Sequence, residues 1–112
     1  MDIIKAIRDA QAANKIVAVI DNARTFDVMA AQAEGVNVER MLVSQPDNES
    51  QCADICEVLA RSGTVNLMLI LGGYPVVAAA ELLRHAKRSG MTVTIAPRWD
   101  ESATFPDLLA TA

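Results

Sequence analysis

The sequence predicts an α/β fold in three layers, a three-layer αβα sandwich with helices on both faces of a parallel sheet. Three observations carry that expectation. Two apolar runs of strand length, Ile16–Ile20 and Leu67–Leu71, show no polar alternation, so they read as strands buried on both faces. Between such runs lie stretches with apolar residues at helical spacing, as in Cys52, Ile55, Cys56 and Leu59. The two patterns alternate along the chain without a linker, which implies βαβ units with right-handed crossovers.

Each element follows from its own signals. Asp2 can cap a first helix that places Ile3, Ile7 and Ala10 on one face and stops at Asn14. Ile16–Ile20 forms the first strand. Thr25 can cap a second helix that runs to Glu34, with Gly35 where a left-handed residue closes it. Met41–Val43 is a short second strand, and Pro46–Asp47 turns the chain. Asn48 with Gln51 makes a capping-box-like pair before the third helix, which Gly63 ends. Leu67–Leu71 is the most apolar strand. Gly72, Gly73 and Tyr74 form a tight loop, and Pro75 suits the first position of a helix over Val76–Ser89 that Gly90 closes. Met91–Ala96 alternates apolar residues with Thr, as a strand near a sheet edge does. Pro106 can open a short last helix through Leu109.

Composition bounds the function classes. A chain of 112 residues reads as a single domain. Its size allows burial of about two thirds of the unfolded surface without staples. Hydrophobic residues make up 52% and aromatic residues only 4%, so the core must be aliphatic. The formal net charge of -4 argues against a nucleic-acid surface, because phosphate neutralisation needs clustered Lys and Arg. No charged-then-apolar leader and no apolar run of about 18 residues is seen, so neither secretion nor a membrane span is expected. The two cysteines, Cys52 and Cys56, sit one helical turn apart, a poor geometry for a disulfide. A structural zinc site takes about four ligands, and His85 is the only histidine. Both cysteines therefore read as small buried hydrophobes, a usage that suits a reducing cytosol and a cytoplasmic protein.

Three motifs follow one another between Val19 and Leu71: IDNARTFD at Ile20–Asp27, SQPD at Ser44–Asp47 and LARSG at Leu59–Gly63. In this order and spacing the chain resembles the ATPase core of the RecA recombinase family over roughly its first 71 residues. The resemblance implies a RecA-like, Rossmann-like sheet in the order 2-1-3-4. In that order Met41–Val43 and Met91–Ala96 are the edges, and Met91–Ala96 takes the place held in the family by the phosphate-loop strand. It also implies which chemistry is missing. No G-x-x-x-x-G-K-[ST] loop occurs in this sequence. The family's catalytic glutamate falls on Ala23, its Walker B aspartate on Leu71 and its adenine-stacking tyrosine on Ala30, while Asp27 matches an aspartate that contacts adenine. Phosphoryl transfer is almost wholly positioning and electrostatics, so no catalytic residue, metal or cofactor is expected. From Gly72 onward no family pattern is discerned. That segment reads as a generic βαβ element joined to a RecA-like piece, as recombination or computational design would leave it.

Open α/β sheets bind ligands beyond the carboxyl ends of their strands, at the point where the strand order reverses. Asp21, Asn22, Gly72, Gly73 and Tyr74 would converge there, with the following helix start favouring an anionic or nucleotide-like ligand, and Asp27 completes the candidate set. The alternative is that Gly72–Gly73 only turns the chain and Asp21 only caps a loop. Arg84, His85, Lys87 and Arg88 gather at one helix end, where they complement its dipole, and His85 is expected to face solvent. Trp99 is expected to fold back over a strand end, with an exposed anchor for a partner as the alternative, and Phe105 lies beyond it. No partner is expected: a monomer, with pairing through an exposed edge strand as the alternative.

Overall fold

The computed structural model describes residues 3–74 and 76–96. Asp2, Pro75, Trp99, Phe105 and the helix expected from Pro106 lie outside the described residues. The elements are α1 (Ile3–Ala12), β1 (Val17–Asp21), α2 (Val28–Ala33), a single 3-10 turn (Val38–Arg40), β2 (Met41–Ser44), α3 (Glu49–Ser62), β3 (Leu67–Leu71), α4 (Val76–Ser89) and β4 (Thr92–Ala96). The strands form one sheet in the order β2-β1-β3-β4, and every pairing is parallel. Val17 sets the register, standing beside Met41 on one side and Leu67 on the other.

The period of two along the central strands divides the core. Val17, Val19, Leu67, Leu69 and Leu71 face α1 and α2. Ala18, Ile20, Met68, Ile70 and Val93 face α3 and α4, where they meet Cys52, Cys56, Leu82 and Ala86. Every residue of β1 and β3 is buried, which is why both strands read as unbroken apolar runs. Burying one such aliphatic side chain contributes about 1.5–3 kcal/mol. Asn66 aligns the amino ends of the strands. Its side-chain oxygen accepts from Ile16 N at 2.8 Å, its amide donates to Ile16 O at 2.9 Å, and its carbonyl accepts from Thr92 N at 2.9 Å. Gln11, buried on α1, does the same for the approach to β2: Nε2 donates to Asn37 O and Oε1 accepts from Asn37 N.

Helix boundaries follow their caps with two differences. Asn14 takes a left-handed conformation (φ 61) just past α1, and Gly63 does so at the end of α3 (φ 72). Asn48 caps α3 by accepting from Gln51 N at 2.8 Å, but Gln51 returns its bond to Asp47 N rather than to Asn48. The second difference is larger. Thr25 does not cap α2. The cap is Asp27, whose side chain accepts from Ala30 N at 3.0 Å. The amides of Thr25 and Phe26 are already held by the Asp21 carboxylate, so the helix begins only after them.

His85 departs from its expected exposure. Its side chain is only 12% exposed, packed between α4 and α3 with Glu57 Oε1 3.7 Å and Glu81 Oε1 3.9 Å from Nε2. The sequence placed it on a helix end; the packing of α3 against α4 covers it. Both carboxylates lie beyond hydrogen-bond reach, and among the described residues Nε2 has no partner.

Candidate functional site

The order reverses between β1 and β3, because α2 covers one face after β1 while α4 covers the other after β3. The candidate residues divide there according to which face of the sheet they sit on. Asp21 points to the α2 face and is fully buried. Its carboxylate accepts from Thr25 N at 3.0 Å, from Phe26 N at 3.0 Å and from Gln45 Nε2 at 3.1 Å. These bonds fix the β1–α2 loop, in which Arg24 takes a left-handed conformation (φ 55). Asp27 is exposed at the start of α2, engaged as its cap.

Asn22, Gly72, Gly73 and Tyr74 do converge. They line a cleft of about 370 Å³ together with Asp47, Asn48, Glu49 and Cys52 from the start of α3. The cleft lies at the carboxyl ends of β1 and β3, on the α3 face. Its size falls within the range of small-molecule sites. Asp47 and Glu49 are among the lining residues, and no Lys or Arg is. Asp47 lies 3.4 Å from the Arg24 guanidinium, an exposed pair.

The crevice between the strand ends is closed by the chain itself. Ala23 N donates to Leu71 O at 3.0 Å, and Asn22 Nδ2 donates to Gly73 O at 2.9 Å and to Cys52 Sγ at 3.2 Å. Gly72, with φ 96, lies so close to the opposite loop that a Cβ there would stand 2.7 Å from Ala23 N. Only glycine permits this approach. The sequence signal for the closure is thin: two adjacent glycines and an alanine 49 positions earlier.

Tyr74 of the cleft wall and Cys56, buried in the core, are both held protonated. Burial pushes the Cys56 thiol well above the ordinary range, with Cys52 adding to the effect. Tyr74 is also raised, by burial first and then by Cys56, Cys52, Glu57 and Asp54. A raised phenol stabilises the fold fully below the ordinary tyrosine value of 10.0 and loses that contribution as pH climbs above it. Tyr74 is the only tyrosine, so the phenolate absorbance band reports it alone. The band is expected to stay absent in the native protein through pH 10 and to appear together with the loss of helical circular dichroism.

The family model for the RecA N-terminal domain matches residues 3–94. The chain belongs to the RecA N-terminal domain family. Protein RecA 1 of Myxococcus xanthus is 42% identical over 79 residues, which cover 70% of this chain and 23% of that protein. The matched stretch thus spans about a quarter of that curated relative. The RecA match runs past Gly72 through α4 and into β4, so the expectation that the family pattern ends at Leu71 is corrected. A join at Gly72 is not needed to account for the second half. The family match also places Ala23 and Leu71 inside the RecA domain, at the crevice that their hydrogen bond closes. Among the described residues no group of three or more His, Cys, Asp or Glu side chains could hold a metal ion, and no helix is long and apolar enough to cross a membrane.

Proposed function

We propose that this chain is a RecA-type structural unit that does not hydrolyse nucleotide. The observation that supports the reading most directly is the closed strand-end crevice, where Ala23 N bonds Leu71 O and Gly72 abuts Ala23. A phosphate and its metal ion need backbone donors and carboxylates free to face them. Among the described residues the one buried carboxylate at the strand ends, Asp21, faces Thr25, Phe26 and Gln45 instead. Leu71, beside it, offers only hydrocarbon.

The cleft lined by Asn22, Gly73 and Tyr74 favours a second reading, a small-ligand module. Asp47 and Glu49 repel an anion, so a neutral polar ligand suits the cleft better than a nucleotide. One pair of measurements tests both. Phosphate release with magnesium and millimolar ATP is expected to match the buffer blank, and magnesium-dependent turnover would overturn the first reading. A thermal-shift panel of ATP, ADP, phosphate and flavin is expected to leave the midpoint unmoved, because only a ligand that binds the native state raises it. A shift with a neutral polar compound added to the same panel would favour the ligand module, and a shift with one of the anions would overturn its preference for a neutral ligand.

A further inference from the structure

Neither reading above uses the two thiols on α3. Cys52 and Cys56 are both free, 1% and 0% exposed, on the face of the helix that packs against the sheet. They differ in access. Cys52 is among the residues that line the cleft at the strand ends, whereas Cys56 lies one helical turn further along α3. Asn22 Nδ2 donates to Cys52 Sγ at 3.2 Å and holds that sulfur at the cleft. The two thiols are near enough for each to feel the other's charge.

Their spacing decides what the pair can hold. Side chains four apart on a helix have Cβ atoms about 5–6 Å apart. A disulfide needs about 3.5–4.5 Å, so an S–S bond within the pair would distort the helix. One atom placed between the sulfurs makes up the difference. Structural zinc takes about four ligands, and among the described residues no group of three His, Cys, Asp or Glu side chains gathers to supply them. The site therefore suits a thiol-seeking atom that bonds two sulfurs and fills its remaining valence itself.

We infer that Cys52 and Cys56 form a two-thiol site for trivalent arsenic, entered through the cleft. Arsenous acid is small and neutral, and each thiol displaces one of its hydroxyls. Two As–O bonds and two S–H bonds break, two As–S bonds form, and the thiol protons leave in two molecules of water. No atom changes oxidation state, and arsenic keeps its third hydroxyl. The product is uncharged. That matters beside Ile20, Met68 and Leu82, where a charge is costly. A monovalent soft ion held by two thiolates would leave a net negative charge in the same place. A linear two-coordinate ion would drive the sulfurs apart, whereas pyramidal arsenic keeps them neighbours. The site uses the cleft as an entrance and rests on neither reading of the chain's function.

The test treats the reduced full chain with phenylarsine oxide, a trivalent arsenical with one carbon substituent, and follows it by intact mass spectrometry. One arsenic per chain is expected, with loss of one water. The adduct should survive excess mercaptoethanol and reverse with dimercaptopropanol, as a two-thiol chelate does. Cys52→Ser and Cys56→Ser should each weaken retention against mercaptoethanol by about tenfold or more. Cys52→Ala and Cys56→Ala, checked by circular dichroism, keep the result readable if a serine variant folds poorly. Uptake by the native chain should quicken in proportion to the reagent, as entry from the cleft requires. An adduct that mercaptoethanol strips from the unaltered chain would overturn the inference. So would one that persists in either single-cysteine variant, or uptake that never exceeds the rate of global unfolding.

Discussion

Replacing Asp21 with alanine is expected to lower the stability of the fold by about 3–5 kcal/mol. The carboxylate is fully buried and is the acceptor for two loop amides and the Gln45 side chain. Its removal leaves three donors with reduced access to water. Each bond to a charged acceptor is worth about 1.5–3 kcal/mol, partly offset because a buried charge is removed as well. Asp21→Asn keeps one acceptor oxygen and turns an amide group toward the other donors, so an intermediate loss is expected. Urea midpoints by circular dichroism measure both. If Asp21 served a ligand instead of the loop, Asp21→Ala would be neutral or stabilising, since functional carboxylates are commonly kept at a cost in stability.

Leu71→Asp is expected to be worse, with a loss of at least about 4 kcal/mol, enough to unfold a domain of ordinary stability. The substitution restores an acidic residue where the resemblance to the recombinase core places the Walker B aspartate. In this chain Leu71 is fully buried, packed with Leu69 and Val19. Truncating such a leucine costs about 2–5 kcal/mol before any charge is considered. The register adds a second penalty, because Leu71 stands directly beside Asp21 on β1, so two carboxylates would meet in the core. One must bind a proton or the strands must part. Leu71→Met keeps the volume and is expected to cost under about 1.5 kcal/mol. The measurement is again the denaturation midpoint, with phosphate release assayed on any soluble Leu71→Asp protein. Turnover from that variant would show that the missing carboxylate alone separates this domain from a hydrolase.

How far the fold could be read in advance depended on what each residue answers to. β1 and β3 were legible because both faces are covered, so every residue but Asp21 at the end of β1 is apolar. The ends of α1 and α3 were legible because Asn14, Asn48 and Gly63 act on their own backbone neighbourhood. The start of α2 was not. Thr25 and Asp27 are both competent caps, and the choice between them is made by Asp21 and Gln45, whose hydrogen bond spans 24 positions. His85 was misplaced for the same reason: the helix carrying it is plain in the sequence, but its neighbour Glu57 belongs to α3. The structure brings Asn22, Gly72, Gly73 and Tyr74 together, because strand ends can be counted. That Asp21 would turn away from them follows from strand parity, a signal the sequence held and the search for a polar cluster passed over.

The position of β1 governs how this polypeptide must acquire its shape. It is made before β3, yet it ends between β2 and β3, and the bond from Ile16, the residue before it, to Asn66 spans 50 positions. Until β3 has been made, one side of β1 carries unpaired amides and carbonyls along a strand that is apolar from Val17 to Ile20. Refolding must therefore wait for a distant segment, which makes it slow for a chain of this length, and crowded solutions during that interval favour intermolecular capture over completion.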